Sequence, residues 1–271
     1  MSTATMSLIN TQIQRTPRHT LTIYLKEMKY EFLKNLRLRM YTVSVLSFPI
    51  MFYILFGLVL NQNAAIGGTR LPTYLIASYG TFGVMGASLF GTAAGLASDR
   101  GLGWLQVKRA SPMPPFAYFV AKVVTSMVFS TIIVLTLFAL GVTLGGVRMP
   151  IASFAQLLGT MVAGSLPFSA MGLALGYFAG PNSAPPMINL IYLPMSFCSG
   201  LWVPLMFLPK VLQQVAHVLP PYHLSQLALG LVGAGTHESV TSHWEVLIAF
   251  TMICFGVARI GFQRDQEKMF G

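Results

Sequence analysis

The chain has 271 residues, 54% of them hydrophobic and only 9% charged, with a mean hydropathy of +0.66 and a formal net charge of +10. Soluble domains carry roughly 25% charged residues, so too few charges are present here to coat a water-exposed fold. The solvent for most of this chain is lipid.

A basic balance can signal nucleic acid, so the placement of the bases matters. Seven of the seventeen Lys and Arg precede Tyr41: Arg15, Arg18, Lys26, Lys29, Lys34, Arg37 and Arg39. Others lie in one loop (Arg100, Lys108, Arg109, Lys122) or in the tail (Arg259, Arg264, Lys268). All flank apolar runs, the pattern of charges that set topology and touch anionic headgroups rather than nucleic acid.

In chain order, residues 1–20 read as a flexible polar terminus with no cleavable signal. Residues 21–40 read as an amphipathic interfacial helix. Leu21, Tyr24, Leu25, Met28, Phe32 and Leu36 form its apolar stripe, and Lys26, Lys29, Glu31, Lys34 and Arg37 fill the other faces. A crossing helix needs about 20 apolar residues, and six segments qualify within a permease domain over 41–262. They are Tyr41–Leu60, Pro72–Ala97, Phe116–Leu144, Ser153–Phe178, Pro186–Leu205 and Trp244–Phe262. Residues 206–232 are apolar but broken by Pro209, Pro220 and Pro221, which predicts a re-entrant or interfacial helical hairpin. Residues 263–271 complete the chain as a tail. The predicted fold class is therefore an all-α integral membrane protein with six transmembrane helices, an N-terminal interfacial helix and a hairpin before the last span.

Six spans put both termini on one side. With that side cytoplasmic, fourteen bases lie inside and three (Arg70, Arg148, Lys210) outside, which follows the positive-inside rule. Cys198 and Cys254 fall within apolar runs, without metal-ligand or CxxC spacing, and read as small buried hydrophobes. Pro49, Pro167 and Pro194 inside spans predict kinks.

No GxxxxGK[ST] loop, HExxH or GxSxG motif occurs. Six of the seven acids fall outside the predicted spans, and Glu245 lies at the outer end of the last. Carriers driven by protons or sodium usually keep an ionisable group at mid-membrane. The energy source is thus expected on a separate subunit, and a secondary carrier or channel without an ATPase partner is the alternative. Nothing in the sequence supports an enzyme. The loop 98–117 carries Trp104, Leu105 and Val107 between charges. A short helix there could anchor in a partner's groove or rest on headgroups.

This order of features resembles the ABC type-2 permease family from Leu21 onward. Two stretches carry the likeness. The first is Asp99-Arg100-Gly101, then Ser111-Pro112 and Ala121-Lys122, with Leu102 where the family often has Thr and an added Met113-Pro114-Pro115. The second is Ser199-Gly200-Leu201-Trp202-Val203-Pro204, then Leu208-Pro209 and Leu219-Pro220-Pro221-Tyr222. The resemblance implies a plasma-membrane exporter (the bacterial inner membrane) built from two permeases, a homodimer or a related pair. Two nucleotide-binding ATPase subunits would carry the ATP and Mg, and this chain would bind no cofactor. It also implies that Asp99, Arg100, Gly101, Trp104, Leu105 and Lys108 couple to the ATPase. The second and fifth spans would line a substrate path through Tyr79, Phe82, Met85 and Phe90, and through Asn189, Tyr192, Met195 and Phe197. The low charge along that path points to an amphipathic or apolar small molecule or lipid as cargo.

Overall fold

A computed structural model describes residues 17–60, 63–111, 113–236 and 238–270; the predicted terminus up to residue 16 lies outside them. The described residues are helical apart from turns and a two-stranded hairpin, Ala65–Ile66 with Thr69–Arg70. The helices are α1 (Pro17–Arg37), α2 (Arg39–Phe52), α3 (Leu71–Leu89), α4 (Gly95–Gly101), α5 (Trp104–Ala110) and α6 (Pro115–Thr143). They continue as α7 (Ile151–Ala163), α8 (Ser165–Phe178), α9 (Ala184–Cys198), α10 (Lys210–Ala216), α11 (Pro220–Leu231) and α12 (Val240–Phe270). Residues 17–20, read as flexible, thus belong to α1, and the predicted tail is helical as far as Phe270.

Five stretches are long and apolar enough to cross a membrane: Arg39–Val59, Leu71–Gly101, Phe116–Thr143, Ile151–Phe178 and Val240–Asp265. The remaining predicted span, Pro186–Leu205, supplies only the 15-residue α9. At 1.5 Å per residue that is about 22 Å, short of the roughly 30 Å hydrocarbon core. A non-helical turn and the short helical turn Leu205–Phe207 extend it.

Two spans change helical pitch in ways that periodicity does not show. After Pro49, which cannot donate to Val45, α2 widens into a π-helical run over Tyr53–Val59. A second π-helical run, Phe90–Ala94, separates α3 from α4. The fourth span is broken at Gly164, where the Leu224 side chain of α11 occupies the space that a Cβ would need. Pro167 also leaves the Ala163 carbonyl without its helical donor.

The core is built around α3. Every α3 residue except Thr73 is buried, and 83% of the most apolar stretch of that span is buried, against 17% for the first span. Helix α6 packs along α3, α12 packs along α8, and α11 packs against α3, α7 and α12. Glycines allow these approaches. At Gly86 a Cβ would sit 2.8 Å from the Tyr192 hydroxyl of α9. That hydroxyl donates to the Phe82 carbonyl at 3.1 Å while its ring stacks on Phe82 with centroids 4.8 Å apart. Gly86→Ala is therefore expected to cost about 1–3 kcal/mol through overpacking, read as a lowered thermal midpoint in detergent. Tyr192→Phe in the same background should recover part of that loss by removing the clashing oxygen.

Candidate coupling site at the ion-paired end of the bundle

The segment predicted to couple is shaped by two glycines. Gly101 ends α4 with no room for a Cβ against Pro181 of the α8–α9 connection, and Gly103 turns the chain with φ +76° before α5 begins. The turn redirects the chain into α5, which lies beside α1 and the start of α6. Leu105 points inward and is 5% exposed, whereas Leu102, Trp104 and Val107 are 69%, 56% and 60% exposed. An outward apolar face rests on a buried root.

That root is an ion-pair network that the sequence reading did not anticipate. Lys122 of α6 is fully buried and pairs with Glu31 at 2.7 Å and Asp99 at 3.1 Å. Asp99 also accepts from Lys34 at 2.6 Å and from the Tyr118 hydroxyl at 2.8 Å. Lys108 of α5 pairs with Glu27 of α1. The ammonium groups of Lys108 and Lys122 each lie 4.8 Å from the Tyr118 ring centre. Three acids and three lysines from α1, α4, α5 and α6 thus neutralise one another. Burial alone would raise the Glu31 carboxyl, but the ammonium groups of Lys122 and Lys34 outweigh it and hold Glu31 below its ordinary value. The stability this contributes is present above that ordinary value and is lost as pH falls.

Arg100 forms a second tie. Its guanidinium reaches Asp265 of α12 at 2.7 Å and donates to the carbonyls of Gly176 and Tyr177 at 2.9 and 2.8 Å, near the C-terminal end of α8. Cations suit that end of a helix because the last carbonyls carry partial negative charge. Helix α1 and the far end of α12 therefore meet at the same end of the bundle.

Several expectations change here. Glu31, on the predicted polar face of an interfacial helix, is 3% exposed, and α1 packs on α6 with Phe32 beside Phe129 at 5.7 Å. The stripe is split: Leu21, Leu25 and Leu36 are exposed, while the buried α1 positions are Glu31 and Asn35. Asp99 and Lys122, counted as loop charges, are buried. Of the coupling candidates, Asp99, Arg100 and Lys108 bind within the chain, Gly101 and Leu105 pack, and Trp104 projects. A spacing signal for the network did exist: Glu27, Glu31 and Lys34 share one face of α1.

The path candidates divide similarly. Tyr79, Phe82 and Met85 are at most 2% exposed and Tyr192 is 7% exposed. Phe90 and Met195 are half-buried, with Phe90 edge-on to Tyr192 at 5.9 Å. Asn189 and Phe197 lie on the exposed face of α9. Within one chain, α3 and α9 pack on each other.

A bundle of long apolar helices, with an ion-paired end that presents a short projecting helix, is the architecture of a multi-pass membrane protein. The sequence profile of the ABC-2 type transporter family matches residues 26–232, and the chain belongs to that family. A Bacillus subtilis (strain 168) protein with the provisional name transport permease YvfS is 26% identical over 246 residues, covering 90% of this chain and 98% of the relative. The chain is thus a transmembrane ABC-type permease, the membrane component of a transporter whose family generally associates with an ATP-binding subunit.

Proposed function

We propose that this permease is half of an exporter that moves an amphipathic or apolar small molecule or lipid, driven by a separate nucleotide-binding subunit docked on α5. One observation carries the reading. Trp104 and Val107 are exposed on α5, which Lys108 ties to α1, and the preceding α4 is tied through Asp99 and Arg100 to α1, α6, α8 and α12. A push on α5 would reach α1 directly through Lys108, and α6, α8 and α12 through the short turn at Gly101–Gly103 and α4. ATP does work on the permease only if the partner binds two of its states unequally. In this reading ATP and Mg stay on the partner, and a second permease completes the transporter.

Because α3 is enclosed within its own chain, we place the second permease against the exposed faces of α2 and α9, with Asn189, Leu190 and Phe197 toward the cargo. The test is purification of the tagged chain from its native host, followed by reconstitution. An ATPase should copurify, and its hydrolysis should rise with transported cargo. A pure permease that moves cargo without nucleotide would establish the carrier alternative instead.

The same reading puts both termini in the cytoplasm of a cell whose plasma membrane holds the protein. Its support is the base asymmetry together with the meeting of α1 and the end of α12, which fits an even number of crossings with α9 and its extension read as the sixth. Single cysteines at Ser7→Cys, Ser239→Cys and Gly271→Cys, with Cys198 and Cys254 replaced, should label from outside intact cells only at position 239. External labelling at position 7 or 271 would overturn this topology.

A further inference from the structure

The end of the bundle opposite Arg100 holds a second polar cluster that the proposed coupling does not use. His243 lies near the start of α12 and Asp265 lies 22 residues later, about 33 Å along the helix at 1.5 Å per residue. Beside His243 lie His223 of α11, His217 just after α10, and Glu238 of the connection between α11 and α12. The His223 Nδ1 and His243 Nδ1 atoms are 2.8 Å apart, and His223 Nε2 is 2.9 Å from the His217 carbonyl. The Glu238 carboxylate lies 3.5 Å from His217 Nδ1 and 3.5 Å from His243 Nε2, and it accepts from the Tyr222 hydroxyl at 3.1 Å. The other helices packed against α11, α3 and α7, carry no acid, base or histidine. Among the described residues no three His, Cys, Asp or Glu side chains are arranged to hold a metal ion.

The proton count is restrictive. A carbonyl only accepts, so His223 Nε2 carries a proton, and in the neutral ring His223 Nδ1 is then the acceptor. His243 Nδ1 must therefore be the donor between the rings. That contact holds one proton. A second would set two N–H groups against each other at 2.8 Å. One carboxylate faces three imidazoles, so it balances one imidazolium and no more.

We propose that this cluster is an acid-released latch, fastening the hairpin of α10 and α11 to the start of α12 while the two buried rings share one proton, and letting it go when both are charged. Burial pushes the His223 ring below its ordinary value, in keeping with a fold that resists the second proton. The latch's contribution is therefore present above the ordinary imidazole value, near 6.5, and is lost as pH falls below it. The placement of this latch on the outer face rests on the proposed topology; its chemistry does not.

The test uses the full chain in lipid nanodiscs with the native cysteines replaced and spin labels at Val211→Cys on α10 and Ile248→Cys on α12, both exposed positions. Between about pH 7.5 and about pH 5, a longer-distance population should grow about tenfold, with its midpoint below 6.5. The paired substitution His223→Gln with His243→Asn should flatten that response. Glu238→Gln, at a half-exposed position, should move the midpoint to lower pH by withdrawing the charge that eases the first protonation. A wild-type distance distribution that does not change with pH overturns the proposal, as does an undiminished response in the paired variant. The measurement needs no ATPase and no cargo, so a failed copurification would leave its outcome intact.

Discussion

Lys122→Ala is expected to destabilise the folded chain by about 3–5 kcal/mol, the range for removing one partner of a buried ion pair. The ammonium is fully buried between Glu31 and Asp99. Its loss leaves two acids sharing Lys34, at 3.7 and 2.6 Å. Much of the penalty is the burial of uncompensated charge, so neutralising the whole set should undo most of it. A combined Glu31→Gln, Asp99→Asn and Lys122→Met chain should lie within about 1–2 kcal/mol of wild type. Acid should act in opposite senses on the two proteins. Lowering pH below 4.5, the ordinary value of the Glu31 carboxyl, removes stability from the wild type, whereas acid relieves repulsion in Lys122→Ala. Thermal midpoints in nanodiscs across that range are the measurement. Parallel pH profiles for the two proteins would mean that Lys122 is not the charge that holds α1 to the bundle.

Trp104→Ala is expected to weaken the ATPase partner's binding by more than about 2 kcal/mol, roughly thirtyfold, because a desolvated tryptophan commonly dominates an interface. Insertion and thermal stability should stay near wild type, since the side chain is 56% exposed and the root of α5 is held by Leu105 and Lys108. If α5 instead rests on headgroups, Trp104→Leu and Trp104→Phe would behave almost normally and copurification would not change. Retained partner stoichiometry together with retained cargo-stimulated hydrolysis in Trp104→Ala would remove α5 from the force path and leave α1 as the connection. Arg100→Glu is a poor probe of the partner. It would repel Asp265 and vacate the Gly176 and Tyr177 carbonyls, so its effect falls on the fold.

The sequence by itself determined that lipid is the solvent, where the long apolar helices run, and where the chain is punctuated. These are properties of composition and local pattern: a run of apolar residues has one low-energy state in hydrocarbon, and proline removes a donor wherever it falls. The broken apolar stretch after Leu205 was legible for that reason, and so was the projecting Trp104 between glycines and prolines. Tertiary structure alone decided which charges were spent inward. Glu31 and Lys122 are 91 positions apart, and hydropathy scores each as a solvated base or acid because it cannot see the partner that cancels the cost of burial. The same holds for Arg100 with Asp265 and for the paired rings of His223 and His243, joined across different helices. It also holds for α3. Tyr79, Phe82 and Met85, which the resemblance implies line a substrate path, are buried within the chain, and the glycines beside them are approached by Ile133, Met161 and Tyr192. Periodicity assigns a face to each helix, but only the packed bundle determines what meets it.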